Sequence, residues 1–172
     1  MNGIDISNHQ AGIDVAATDA EFVIVKASEC ANWYDPQCQN LADQTLESGK
    51  LLGLYHFART NSVEAEAETF LAVAQRYLGR CILALDYEAD AVGNGPGWAK
   101  AWLDYVYEAT GIKPIIYMSK SVCRSQDWSE VAPEYKLWAA QYPNYDATGW
   151  QDYPWTDSGG FGAWDGPFIY QY

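Results

Sequence analysis

The sequence predicts an α/β fold on a parallel sheet, either closed into a barrel or doubly wound, and three observations predict it. Short apolar, β-rich runs alternate with helical patterns, which marks successive β/α units. Several of those runs are apolar almost without interruption, as parallel strands covered on both faces are. The helical patterns stop at glycines, Gly49, Gly79 and Gly111, which suit the left-handed turn that closes a helix.

Seven runs read as strands: Gly3–Ser7, Phe22–Ser28, Leu51–Arg59, Cys81–Glu88, Pro114–Ser119, Tyr135–Tyr142 and Pro167–Tyr172. Between them, Asp35–Glu47, Val63–Tyr77 and Trp98–Thr110 carry apolar residues at helical spacing. Ser121–Pro133 has room for one short helix, and Pro143–Gly166, rich in Gly, Pro, Asp and Trp, has no period and reads as strand and loop. No repeat or low-complexity linker divides the chain, so residues 1–172 are read as one domain with a single core.

Composition narrows the function. Hydrophobic residues at 49% and aromatics at 15% exclude disorder, while no run approaches the roughly 20 apolar residues of a membrane span. Ten Lys and Arg against 23 Asp and Glu give a net charge of −13, which repels phosphate backbones and anionic lipid, so neither nucleic acid nor membrane is an expected partner. Cys30, Cys38, Cys81 and Cys123 form no CxxC pair, and His9 and His56 are the only histidines. Free thiols are expected, with no metal and no cofactor.

The chemistry lies at the end of one apolar strand. In Leu83-Ala84-Leu85-Asp86-Tyr87-Glu88 two carboxylates stand two residues apart, so on a strand both face one space, with Cα atoms about 6.6 Å apart. Each then disfavours ionisation of the other, and burial raises the proton affinity of the less solvated one. One protonated and one charged carboxyl is the division of labour that glycoside hydrolysis needs. Catalytic groups of β/α barrels sit at C-terminal strand ends, which favours this reading over a solvated strand end. Asp5, flanked by Ile4 and Ile6 on the first strand, is a third acid placed where an idle charge is costly.

Taken in order, GIDISNHQ (3–10), FVIVKASE (22–29), GLYHFAR (53–59), LALDYE (83–88), KPIIYMS (113–119) and LWAAQY (137–142) resemble the glycoside hydrolase family 25 lysozymes over nearly the whole chain. The resemblance implies a TIM-like (β/α)5(β)3 barrel that cleaves the β-1,4 bond between N-acetylmuramic acid and N-acetylglucosamine. It implies Glu88 as general acid, Asp86 as nucleophile or as the group that orients the substrate's N-acetyl arm, and Asp5 as the third acid that tunes the pair. Tyr55, Phe57, Tyr117, Trp138 and Gln141 are the expected substrate-binding residues. His56 is expected to be packed, His9 to make local hydrogen bonds, and Lys26 to pair with a carboxylate, the cleft acids being candidates.

The resemblance departs at the end of the chain. Family members continue past the strand ending in Gln-Tyr to a last strand with a further Asp, whereas this sequence stops at Tyr172. Phage lysins of the family commonly carry a wall-binding module after the catalytic domain, and none is present in these residues. The first strand-like run begins at Gly3, leaving no room for a secretory signal, so the expectation is a protein made in the host cytoplasm that acts on bacterial wall peptidoglycan. The rival reading is a wall-carbohydrate binding protein on the same fold that has lost turnover. An amidase would need a zinc set or a Cys-His pair, and a chitinase-type specificity is the nearer enzymatic rival.

Overall fold

A computed structural model of the chain describes residues 1–144, 146 and 149–172. All seven expected strands form: β1 (Gly3–Ile6), β2 (Phe22–Glu29), β4 (Leu51–Phe57), β5 (Cys81–Asp86), β6 (Ile115–Ser119), β7 (Leu137–Ala140) and β8 (Ile169–Gln171). They pair in the order β1-β2-β4-β5-β6-β7-β8, every pair parallel, and make one curled half-barrel. A two-residue strand, β3 (Trp33–Tyr34), adds antiparallel to the end of β2. Three of the expected Pro143–Gly166 loop residues, at 145, 147 and 148, lie outside the described residues.

The helices are α1 (Cys38–Glu47), α2 (Val63–Ala74), α3 (Pro96–Thr110) and α4 (Lys120–Ser125). Ser62 caps α2 by accepting from the Ala65 N–H, and α3 opens on Pro96 and closes at Gly111, whose φ of 70° is left-handed. The first helix begins later than its pattern suggested, at Cys38, because residues 35–37 form a turn closed on the backbone and carboxylate of Asp35. That carboxylate accepts from the N–H groups of Gln37 and Asn8, at 2.8 and 2.9 Å, and ties the chain after β1 to the start of the helix.

Strand alternation sorts the side chains into two layers. Outward-facing Val23, Val25, Leu52, Leu54, Leu83, Leu85 and Ile116 meet Leu41, Phe70, Trp102, Leu103 and Val106 of the helices, forming the main core. Inside the curl is a second, smaller cluster in which Ile24, Ala84, Ile115 and Trp138 are buried and Tyr55 and Tyr117 pack against them. Space there is limited. At Gly53 a Cβ would lie 3.0 to 3.2 Å from the side chains of Ile24 and Ile82, which explains a glycine in mid-strand.

His56, alternating away from Tyr55 and Phe57, falls in the outer layer as expected. It is fully buried, stacked on Trp102, and bonded through Nδ1 to Ser28 Oγ at 2.8 Å and through Nε2 to Glu66 at 3.0 Å. The buried Glu66 carboxylate also accepts from the N–H groups of Arg59 and Asn61, at 2.9 and 3.0 Å, fixing the loop that leaves β4. Removing that acceptor leaves the buried Nε2 of His56 and two backbone amides without their carboxylate partner. Glu66→Ala is therefore expected to lose at least about 3 kcal/mol of unfolding free energy in denaturant titration, and a loss under about 1 kcal/mol would show that the network is not structural.

Candidate active site

The inner face of the half-barrel gathers side chains that are far apart in sequence. Asp5 on β1, Tyr55 and Phe57 on β4, Asp86 at the end of β5, Tyr117 on β6 and Gln171 at the end of β8 share the parity that points inward, opposite to the residues of the outer core. Strand β5 stops at Asp86, but Glu88 remains extended, with φ −145° and ψ −170°, so the alternation runs on past the strand. Tyr87 between them turns into the outer layer. It is fully buried against Trp98 and Trp128, and this anchors Asp86 and Glu88 on the opposite side, in the curl.

The three acids repel one another at that strand-end layer. Asp86 is 8% exposed, and its Oδ1 is buried with no hydrogen-bond partner among the described residues. Burial, then the charges of Glu88 and Asp5, push its carboxyl well above the usual carboxylate range, with Lys26 opposing. Glu88 is half-buried and is also raised, by burial and by Asp5, against the pull of Arg59 and Lys26. Asp5 has an open side to solvent yet lies low in the concave face, so burial raises it too. The Gln171 amide, donating from Nε2 to Asp5 Oδ2 at 2.6 Å, works the other way. Of the acids, Asp86 is the one most strongly driven to hold a proton in the free protein.

A cationic pair rims one side. Lys26, 8% exposed, meets Glu29 at 2.6 Å rather than the cleft acids offered to it by the sequence. Residues three apart on a regular strand face opposite ways, but the register of β2 shifts between Lys26 and Ser28, and this bulge brings Glu29 round to the Lys26 side. Arg59 closes on the other Glu29 oxygen at 2.6 Å and on Asp90 at 2.8 Å. Partial burial disfavours the charge on Glu29, yet Lys26 and Arg59 outweigh it and hold its carboxyl below the ordinary range. Phe57 lies under both cations, its ring centre 4.7 Å from Lys26 and 4.6 Å from Arg59.

The other expected sugar-binding residues divide. Tyr55 and Tyr117 line the inner face beside the acids, and burial together with the acids' charges raises both phenols. Trp138 is 4% exposed and packs edge-on against Tyr117 at 4.7 Å, so it forms the floor beneath that tyrosine. The Gln141 amide is occupied by the loop that follows. It donates to Asp157 at 2.8 Å and accepts from Thr156 Oγ1 at 2.9 Å, while buried Lys120 grips the same Asp157 at 2.7 Å.

Two residues at this layer had no place in the sequence reading. Gln171 Oε1 accepts from Tyr117 Oη at 2.8 Å and from Tyr142 Oη, while its Nε2 reaches Asp5. Burial first, with Asp5, Glu88 and Asp86 adding to it, pushes the Tyr142 phenol up to about 12. The signal for Gln171 was present: it stands two residues after Ile169 in an apolar strand, so it shares the inward face. Among the described residues no cluster of His, Cys, Asp and Glu is arranged to hold a metal ion, and no helix is long and apolar enough to cross a membrane. All four cysteines are free.

Comparison with known proteins agrees with this architecture. The model of glycosyl hydrolases family 25 matches residues 4–172, and the chain belongs to that family. It is a glycoside hydrolase of lysozyme type. It is 30% identical over 183 residues to the Escherichia coli K12 protein YegX, aligning 97% of this chain with 67% of that one. The structure of a family 25 lysozyme from Aspergillus fumigatus superposes with a TM-score of 0.75 at 24% identity, covering 98% of this chain and 85% of the other, and shares its fold. The modular Cpl-1 endolysin, solved with a peptidoglycan analogue, superposes with a TM-score of 0.68 at 28% identity. That match covers 85% of this chain but only 45% of the endolysin.

The acids should cost the fold stability at neutral pH. A carboxyl whose folded pKa is raised binds more protons folded than unfolded, so its penalty is absent below about pH 4 and grows as pH rises toward the folded value. Asp86→Asn, which removes the charge and keeps the shape, is expected to raise the melting temperature at pH 7, with the gain vanishing as pH falls toward 4. A variant less stable than the parent at pH 7 would contradict this electrostatic description.

Proposed function

We propose that the chain cleaves the β-1,4 bond between N-acetylmuramic acid and N-acetylglucosamine in bacterial wall peptidoglycan, with retention of configuration. In this reading Glu88 is the general acid. The observation that carries the proposal is the inward convergence of Asp5, Asp86 and Glu88, with one buried oxygen of Asp86 left without a partner. The Cpl-1 endolysin, whose structure holds a peptidoglycan analogue, supports the substrate class.

The unpartnered Asp86 Oδ1 suits an N–H donor arriving with the substrate, and the N-acetyl amide of the sugar is such a donor. On binding it, Asp86 gains the hydrogen bond that stabilises its charged form, and the proton it holds in the free protein is no longer favoured there. Glu88, nearer to solvent and to the leaving oxygen at the cleft mouth, then carries the proton that departs with that oxygen. Oriented by Asp86, the acetamido oxygen attacks the anomeric carbon as the glycosidic bond breaks. Water opens the resulting ring, Glu88 now acting as base, and two displacements retain the configuration. Asp5 contributes negative charge that favours the oxocarbenium-like transition state and keeps Glu88 protonated to higher pH. Tyr55, Phe57 and Tyr117 offer ring faces and hydroxyls to the glycan, with Trp138 supporting them.

Glu88→Gln is expected to lower wall clearing at least about 100-fold, the low end of what a positioned acid contributes. Mass spectrometry of the parent's digest should show new reducing ends on N-acetylmuramic acid. Near-normal clearing by the variant, or reducing ends on N-acetylglucosamine alone, would refute the reading.

A further inference from the structure

Between β8 and β1 the described residues show no backbone ladder, so the two edges of the half-barrel meet through side chains. The contact carrying that junction is one amide. Gln171 Nε2 donates to Asp5 Oδ2 at 2.6 Å across 166 residues of sequence, and its Oε1 accepts from Tyr117 Oη at 2.8 Å and from Tyr142 Oη. We propose that Gln171 is a positioning residue, which holds the carboxylate of Asp5 toward Asp86 and Glu88 by clamping it from the far edge of the sheet. This rests on the proposed glycosidase reading for its meaning, but the clamp itself is a structural claim.

The amide turns its N–H end to Asp5 and its oxygen to the two tyrosine hydroxyls, both of which donate to Oε1. An ionised carboxylate is the partner that this end prefers, and the bond is charge-assisted. Were the amide turned over, Oε1 would face the Asp5 oxygen at 2.6 Å, which only a protonated carboxyl tolerates. In this orientation the clamp holds Asp5 in place and favours its charged form against the desolvation that raises it.

The other ionisable groups facing this acid all come from neighbouring strand ends: Asp86 and Glu88 after β5, Tyr55 on β4, Tyr117 on β6 and Tyr142 after β7. Lys26 on β2 acts on Asp86 and Glu88 and is itself paired with Glu29. None of these groups donates a hydrogen bond to Asp5, so Gln171 supplies the side-chain bond that opposes the desolvation of that carboxyl.

Two variants separate positioning from simple support of the fold. Gln171→Met removes both ends of the amide at similar length. Gln171→Glu keeps an acceptor for both tyrosines but sets a carboxylate against Asp5, so it holds the tyrosine contacts and loses the clamp. Both are expected to fold, with kcat/KM on peptidoglycan down at least about tenfold, mainly through kcat. The acidic limb of the pH profile should move up by about one pH unit, further in Gln171→Glu, because Asp5 keeps its proton longer.

Carbon-13 NMR of the Asp5 carboxyl, read in free protein without substrate, should show the same upward displacement. If the parent protein fails to cleave wall glycan, the functional reading falls while the NMR comparison still decides the clamp. An unshifted Asp5 titration in a folded Gln171→Met, or a pH profile that merely drops in height, would overturn the proposal.

Discussion

The structure depends on one constraint: three carboxylates brought together at the inner end of a parallel sheet, Asp86 buried, Glu88 half-buried and Asp5 open to solvent on one side. Parallel strands are covered by helices on the outer side, and the curl leaves a narrow apolar floor on the inner side. An acid placed on the inward parity at a strand end has apolar neighbours beneath it and other strand ends around it. Its charge is then disfavoured by desolvation and by the next acid, and the cluster prefers to retain a proton.

The surroundings are arranged to keep that arrangement from collapsing. Tyr87 is anchored in the outer layer and so fixes the face on which Asp86 and Glu88 lie. The cations nearest the acids, Lys26 and Arg59, are both held by Glu29, so they temper Glu88 and Asp86 through space without forming the ion pairs that would discharge them. Glu66 and His56 fix the loop that delivers Arg59. Stability is spent at the cleft and recovered in the outer core, the usual relation between a reactive site and its scaffold.

Much of this was legible in the sequence, for reasons that differ by element. The strands were readable because buried parallel strands are apolar on both faces, and the D-x-E pair because period-two geometry holds even two residues beyond a strand end. Asp5 was readable because a charge between two isoleucines has few idle explanations. Three features were not. The pairing of Lys26 with Glu29 depends on a bulge that breaks the strand period, and no local pattern announces one. The commitment of Gln141 to the loop at Thr156 and Asp157 is a long-range contact, invisible to periodicity. The inward parity of Gln171 can be read from its strand, but its bond to Asp5 cannot, because that needs the first and last strands to face each other.

The central claim is that Asp5, Asp86 and Glu88 behave as one proton-sharing cluster. Its most direct measurement is a site-resolved carbon-13 titration of all three carboxyls in the substrate-free protein. The account predicts that at least one stays protonated well above the ordinary carboxylate range, and that neutralising any one by an amide lowers the midpoints of the other two. Three independent titrations near the ordinary values, unmoved by such a substitution, would contradict it.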